Sequence, residues 1–204
     1  MKKIKFILGS LAVVAMMATV SCNKDEATDP VPEPEVKDGA VVVNELMTKD
    51  TLGLVYVDAQ GDEADWSEFY NPGEKDINIG GYFIGDDGEN TDDADKYEIP
   101  TDNAAATTIK AKGYLVIIWG AADAAGNDME GIINDTIFCS SSLSAKKDKA
   151  VAIWDASGKL VDESEDFTAN GPFGKLPDGK SLGRKTDGAT TWEVIDVPTP
   201  GKKN

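Results

Sequence analysis

Residues 65–72 read DWSEFYNP, an aromatic run that ends at Asn71 and Pro72. Aromatic and β-branched side chains favour strands, and Asn and Pro favour the turns that follow them. The same rhythm continues from Ala40 to Asn204, a length that suits one domain. The segment 120–135 is expected to be an inserted loop. The pattern predicts an all-β domain with strands at 40–47, 66–70, 77–84, 107–109, 114–119, 136–139, 150–154, 160–162 and 191–195.

Several motifs of this span occur in a characteristic order. They are VVVNE at 41–45, DWSEFYNP at 65–72, INIGGYFI at 77–84, KGYLVI at 112–117, VAIWD at 151–155, GKLVD at 158–162, SLGR at 181–184 and TPGKKN at 199–204. This ordered set resembles the lamin tail domain family over essentially all of residues 40–204. The resemblance implies an immunoglobulin-like β-sandwich without established catalytic residues, which in bacteria serves as an accessory or display module.

A short basic segment opens the chain, and residues 6–20 are then almost wholly apolar. A helix of that length would span roughly 22 Å, less than the ~30 Å hydrocarbon core of a bilayer. The pattern predicts a signal peptide over residues 1–21. The sequence TVSC at 19–22 resembles the lipobox of bacterial lipoproteins, which implies that Cys22 carries a lipid anchor. The alternative is an ordinary secretory signal with an incidental cysteine.

Residues 22–39 are polar and acidic, with proline at positions 30, 32 and 34. Such prolines favour extended structure, and the segment lacks the apolar residues that pack a core, so we expect a disordered tether. Lys24, Asp25 and Glu26 resemble signals that send some Gram-negative lipoproteins to the outer face of the outer membrane. The sequence therefore predicts a lipid-anchored outer-membrane protein, with exposure at the cell surface as one interpretation of these three charges. The alternative is that these three charges only keep the tether solvated.

The composition excludes several classes of function. The chain has 20 Lys and Arg against 37 Asp and Glu, a formal net charge of −17. A negative field repels phosphate backbones, so we expect no nucleic-acid partner, and membrane attachment must come from the lipid. The chain has no histidine, which excludes Ser-His-Asp and Cys-His catalysis. Cys139 lies in an apolar run and is expected to be a small buried hydrophobe.

Residues 86–95 hold six carboxylates and no basic residue. Oxygen ligands of this kind suit calcium, although the spacing is not that of an EF-hand. Calcium is therefore a candidate cofactor of this loop, and the alternative is a solvated acidic loop. The candidate ligands are Asp86, Asp87, Glu89, Asp92, Asp93 and Asp95, and the next candidates are Asp58, Asp62, Glu63 and Asp65.

Glu45, Asp65 and Glu68 lie in predicted strands that could bring them together. Paired carboxylates hydrolyse glycosides when they are roughly 5–9.5 Å apart. We favour a structural role, in which Glu45 and Glu68 form an ion-pair network with Arg184, because a planar guanidinium suits carboxylates. The four tryptophans are expected to pack in the core or at strand edges rather than to bind sugars.

These observations predict a non-catalytic binding or display module, lipid-anchored in the envelope, with a protein or glycan partner. Two alternatives stay open: a calcium-dependent hydrolase that uses clustered carboxylates, and a structural spacer in an envelope assembly. An exposed apolar or aromatic patch would favour binding. A pocket that converges on carboxylates without salt bridges would favour the hydrolase.

Overall fold

The computed structural model describes residues 40–48, 50–86, 96–146 and 150–204, and this part of the chain contains strands but no helix. None of it forms an apolar helix that could cross a membrane. The predicted signal peptide, Cys22, the tether and the carboxylates from Asp87 to Asp95 lie outside the described residues. The strands are β1 (Val42–Met47), β2 (Asp65–Tyr70), β3 (Ile77–Asn78), β4 (Phe83–Gly85), β5 (Tyr97–Glu98), β6 (Thr108–Ile109), β7 (Tyr114–Trp119), β8 (Gly131–Ile133), β9 (Thr136–Cys139), β10 (Ala152–Trp154), β11 (Leu160–Glu163), β12 (Ser181–Arg184) and β13 (Trp192–Ile195).

The strands form two main sheets that pack face to face. The large sheet has the order β13-β12-β1-β2-β7-β9-β8, and the small sheet has the order β11-β10-β4-β5. The pairing of β7 with β9 is parallel. Fully buried side chains from both sheets share one core, among them Phe69 and Ile117 from the large sheet and Ile84 and Ile153 from the small one. The predicted all-β, immunoglobulin-like sandwich is confirmed.

Strand β7 shows why the large sheet is covered on both faces. Leu115, Ile117 and Trp119 point into the core between the sheets. Because side chains alternate along a strand, Val116 and Ile118 point the other way, where they join a second apolar cluster. A strand buried on both faces reads as a continuous apolar run, as YLVIIW does at 114–119.

Most of the predicted strands are confirmed to within two residues. The segment 77–84 instead divides into β3 and β4, because the chain turns between them. The side chain of Asn78 accepts the backbone N–H of Gly80, and Gly81 has a φ of 80°, which glycine adopts without strain. The predicted loop at 120–135 contains β8. The short strands β5 and β12 were also not predicted.

Three turns share the pattern Asp-Ala-X-Gly, at residues 58–61, 123–126 and 155–158. In each, the Asp carboxylate accepts the backbone N–H groups two and four residues further on. The glycine has a φ of 90°, 81° and 80° in the three turns. Asp and Gly supply what such a turn requires, a local acceptor and a positive φ. The third turn is the predicted hairpin, and it joins β10 to β11.

Candidate binding surface on the large sheet

The face of the large sheet that is turned away from the small sheet is called the outer face below. One end of it carries a second apolar cluster built on Met47, Trp66 and Ile118, all at most 1% exposed. Tyr56, from the loop between β1 and β2, packs over this cluster, with its ring edge-on to Phe138 and the ring centroids 5.0 Å apart. The chain therefore covers this part of the outer face with its own loop.

A β-bulge brings Glu45 to the outer face. Val43 points into the core between the sheets, and the register of β1 against β2 shifts between Val43 and Glu45. The bulge inserts one residue and so reverses the alternation of side chains that follow. Glu45 consequently lies opposite Glu68, which shares the outer face with Trp66. Both glutamates are fully buried.

The last residues of the described chain, Thr199 to Asn204, form a C-terminal segment that covers these glutamates. The N–H of Gly201 donates to a carboxylate oxygen of Glu68 at 2.6 Å. The hydroxyl and the N–H of Thr199 donate to Glu45 at 2.9 and 3.2 Å. Asn44 donates to the second oxygen of Glu68 at 2.8 Å. Because buried polar groups require such partners, these contacts fix the C-terminal segment on the sheet.

Burial changes the ionisation of both glutamates. It raises the pKa of Glu68 from 4.5 to about 8, and the negative charges of Glu45 and Asp187 act in the same direction. Burial also raises the pKa of Glu45. A carboxyl group in a medium of low polarity holds its proton because the charged form loses its hydration. Folded Glu68 therefore holds its proton to a higher pH than Glu68 in the unfolded chain does.

The raised pKa of Glu68 predicts that the free energy of unfolding falls as the pH rises from about 5 to about 8. In this window the unfolded chain has released the Glu68 proton and the folded chain still holds it, so rising pH favours unfolding. Urea titrations at both pH values measure the difference. The Glu68→Gln variant should show a smaller difference than the matched variant Glu193→Gln, whose side chain is exposed. Equal pH dependence in the two variants would contradict the prediction.

Arg184 lies in the core between the sheets, where it is 5% exposed. Its expected pairing with Glu45 or Glu68 is wrong. Glu45 lies opposite Gly183 in the sheet, so the next residue, Arg184, points to the opposite face. There its guanidinium binds Asp162 of the small sheet at 2.7 Å, donates to the backbone oxygen of Val43 at 2.7 Å, and lies over the ring of Trp192. It also donates to the backbone oxygen of Ala189.

Between the Tyr56 loop and the turn that precedes β6, the described residues leave a groove on the outer face, with a volume of about 530 Å³. Val116 of β7 lines it, together with Val55, Tyr56 and Tyr114, whereas Ile118 beside them is only 1% exposed. Its polar lining comes from Thr108 and Thr136 and from the carboxylate of Asp135. A volume of this size falls within the ~300–1,000 Å³ that is usual for ligand sites.

The remaining acidic candidates do not form a metal centre in the part of the chain that the structure describes. The carboxylate of Asp58 is occupied by three backbone N–H groups, from Gln60, Asp62 and Ala122. Asp65 accepts the backbone N–H of Leu143 at 3.0 Å. Asp86 is half-buried, and the other five carboxylates of its loop lie outside the described residues, so calcium binding there stays a prediction.

Residues 37–167 match the sequence profile of the Lamin Tail Domain family. The chain belongs to the lamin tail domain family. No curated protein matches the chain. The matched span of the lamin tail domain ends before β12, β13 and the C-terminal segment, although these complete the large sheet and cover Glu45 and Glu68.

The lamin tail domain carries one feature that sequence reasoning missed, the groove. Its lining comes from four separate stretches, at 55–56, 105–108, 114–118 and 135–137, so no local motif marks it. One signal was present in the sequence. The run at 114–119 is apolar at every position, which predicts burial on both faces and hence a second surface beside the sandwich core. Cys139, by contrast, is buried as predicted, and so are Trp66, Trp119 and Trp154.

Proposed function

We propose that this lamin tail domain protein is a non-catalytic, lipid-anchored binding module of the bacterial outer membrane, with a protein or a glycan as its partner. The observation that carries the proposal is the groove on the outer face. Over two other parts of this face the chain covers the sheet with its own segments, the Tyr56 loop and the C-terminal segment. A groove lined by aliphatic side chains, two tyrosines and a few hydroxyl groups is suited to binding a partner.

The placement of the carboxylates supports binding over hydrolysis. Hydrolysis of a glycoside needs two carboxyl groups on either side of a bond in a substrate cavity. Glu45 and Glu68 are instead fully buried, and the C-terminal segment donates hydrogen bonds to both. Among the described residues that line the groove, Asp135 alone carries a carboxylate.

The N-terminal sequence supports the anchor. A basic start, an apolar run too short to span a bilayer and a lipobox-like TVSC place Cys22 at the cleavage point. A single acyl chain binds membranes weakly, whereas two or more give stable attachment, as a diacylated cysteine would. An acidic domain does not itself adhere to an anionic membrane surface, so the lipid would be the main attachment.

A variant that fills the groove tests the binding function. Thr136 is half-buried and lines the groove, so Thr136→Arg should place a long cationic side chain in it. The matched control is Thr191→Arg, an exposed position beside β13, which is five strands from β9, or roughly 24 Å. Cells are treated with formaldehyde, and the cross-linked products of each variant are compared by mass.

The proposal predicts that Thr136→Arg loses a cross-linked product that the wild type and Thr191→Arg retain. The melting temperatures of both variants are measured first, so that loss of the fold is not mistaken for loss of binding. If Thr136→Arg gives the cross-linked product at the same yield as the wild type, the groove is not the binding surface. The absence of any product in the wild type would favour the structural spacer.

Exposure at the cell surface gives a separate prediction. The charges at 24–26 motivate placement on the outer face of the outer membrane. A protease added to intact cells should then release the folded domain by cutting in residues 22–39, while a periplasmic marker protein stays intact. Protection of the domain until the cells are lysed would instead place it on the periplasmic side.

A further inference from the structure

We propose that the groove binds a segment of a partner protein in which an apolar side chain is flanked by lysine or arginine. This inference rests on the proposed binding function and narrows the partner to a cationic, apolar peptide segment. The segment's apolar side chain occupies the groove against Val55 and Val116. Its basic side chains reach the acidic surface around the groove.

The shape and lining of the groove suit one or two apolar side chains. Val55 and Val116, both half-buried, provide an aliphatic surface, and Tyr56 and Tyr114 also line the groove. The phenol groups of both tyrosines are already engaged, Tyr56 with Met129 and Tyr114 with Asp187. Both tyrosines therefore offer mainly their rings to a ligand, which favours an apolar or cationic group.

The sequence segments that line the groove are acidic, although Lys110 and Lys112 directly flank two of them. The chain segments that line it lie within residues 50–74, 97–109 and 113–145, which contain thirteen Asp and Glu and no Lys or Arg. Some of these acids are buried or hydrogen-bonded within the fold, as Asp50 and Glu68 are. Others are exposed, namely Asp62, Glu63, Glu98, Asp102, Asp128, Glu130 and Asp135.

Two of the exposed acids lie at the groove or beside it. Asp135 lines it, and Asn103 donates to the Asp135 carboxylate at 2.8 Å, which brings the neighbouring Asp102 to the same rim. The nearest lysines in sequence, Lys110 and Lys112, pair with Asp76 at 2.9 Å and Glu74 at 3.0 Å. Charge complementarity at such a rim steers a cationic partner and disfavours an anionic one.

The same charge argues against other occupants. The chain's own residues 23–39 carry six acids and two bases, so they would be repelled from this surface. Phosphate-bearing ligands would be repelled for the same reason. A neutral glycan could contact the tyrosine rings but would form no ion pairs with the surrounding acidic residues. The observations therefore favour a cationic peptide segment.

Selection from a displayed library of random decapeptides tests the inference. The target is the full-length chain in mild detergent, and the selected sequences are compared with the unselected library. We expect the selected peptides to have Lys or Arg beside aliphatic or aromatic residues. The strongest peptide is then synthesised and its dissociation constant measured at low and high salt. Affinity should fall about tenfold as salt screens the rim charges.

Variants of the protein show where the peptide binds, and they separate the contribution of the groove from that of the acidic charges around it. Thr136→Arg should weaken the peptide about tenfold or more, and Thr191→Arg less than about twofold. Asp135→Asn should reduce both the affinity and its salt dependence, whereas the exposed control Glu193→Gln should change neither. Asn suits position 135 because the backbone there has a φ of 61°.

The outcomes distinguish this inference from the proposed function. The selected peptides could lack an excess of Lys or Arg and still fail to bind Thr136→Arg. That result would contradict a cationic partner but would leave the proposed binding function in place. If no selected peptide loses its binding in the Thr136→Arg variant, the proposal that a peptide segment occupies the groove is wrong. The formaldehyde experiment in cells then decides independently whether the groove binds a partner of another class.

Discussion

Replacing Arg184 with methionine should lower the free energy of unfolding by about 3 kcal/mol at neutral pH. The change leaves Asp162 without its cation in a partly buried site, since the Asp162 side chain is 22% exposed. That residual exposure places the loss at the lower end of the range for broken buried pairs. The backbone oxygen of Val43 also loses its donor. Urea unfolding, followed by tryptophan fluorescence, measures the loss.

Two controls identify the cause of this loss. The exposed neighbour Lys185, changed to methionine, should alter stability by less than about 0.5 kcal/mol. Adding Asp162→Asn to Arg184→Met should recover part of the loss, because no uncompensated charge stays buried while Asn can still accept the N–H of Val43. A loss below about 0.5 kcal/mol in Arg184→Met alone would contradict the role of the pair as a link between the two sheets.

Replacing Cys22 with alanine should abolish fatty-acid labelling and move the protein from the membrane fraction to the soluble fraction. The reason is that an acidic domain has no other strong attachment to the membrane, while each buried methylene of a lipid contributes about 0.8 kcal/mol. Metabolic labelling with a fatty-acid analogue, followed by fractionation, measures both effects.

The second cysteine supplies the control for the anchor. Cys139 is buried in β9, so Cys139→Ala should keep the label and the membrane location even if it lowers stability. A wild-type protein that is soluble, or that keeps an unmodified N-terminus, would contradict the lipid anchor.

The fold could be predicted because its signals are local. Apolar and aromatic runs marked the longer strands, and Asp155 and Gly158 marked the hairpin between β10 and β11. Strands β5 and β8 are two and three residues long, too short for an alternation of side chains to show. They exist because their neighbours in space present free strand edges, and a single sequence does not show which segments meet there.

The partner of Arg184 could not be predicted, because it depends on which side chains of β1 and β12 point to each face of the sheet. The bulge between Val43 and Glu45 turns Glu45 to the outer face, and the register with Gly183 sends Arg184 to the core. A shift of one residue reverses every side chain of a strand, and nothing in the local sequence fixes it here. The sequence predicted structural roles for Glu45, Glu68 and Arg184, but not that Arg184 would belong to a separate network from the two glutamates.

The groove and the C-terminal segment were beyond prediction for a related reason. Each depends on which segments return to the outer face: the loop with Tyr56 over the second apolar cluster, and Thr199 and Gly201 over the glutamates. These contacts join residues far apart in the sequence. The sequence predicted apolar positions on both faces of β7. It did not predict which of these positions the chain covers and which line the groove.

Photo-cross-linking from inside the groove tests the binding surface most directly. A photoreactive benzoylphenylalanine is placed at Thr136 in one strain and at the exposed Thr191 in another, and intact cells are irradiated. The groove as binding surface predicts a discrete cross-linked product from position 136 that position 191 does not give. Equal products from both positions, or none from position 136 in a folded and correctly located protein, would contradict it.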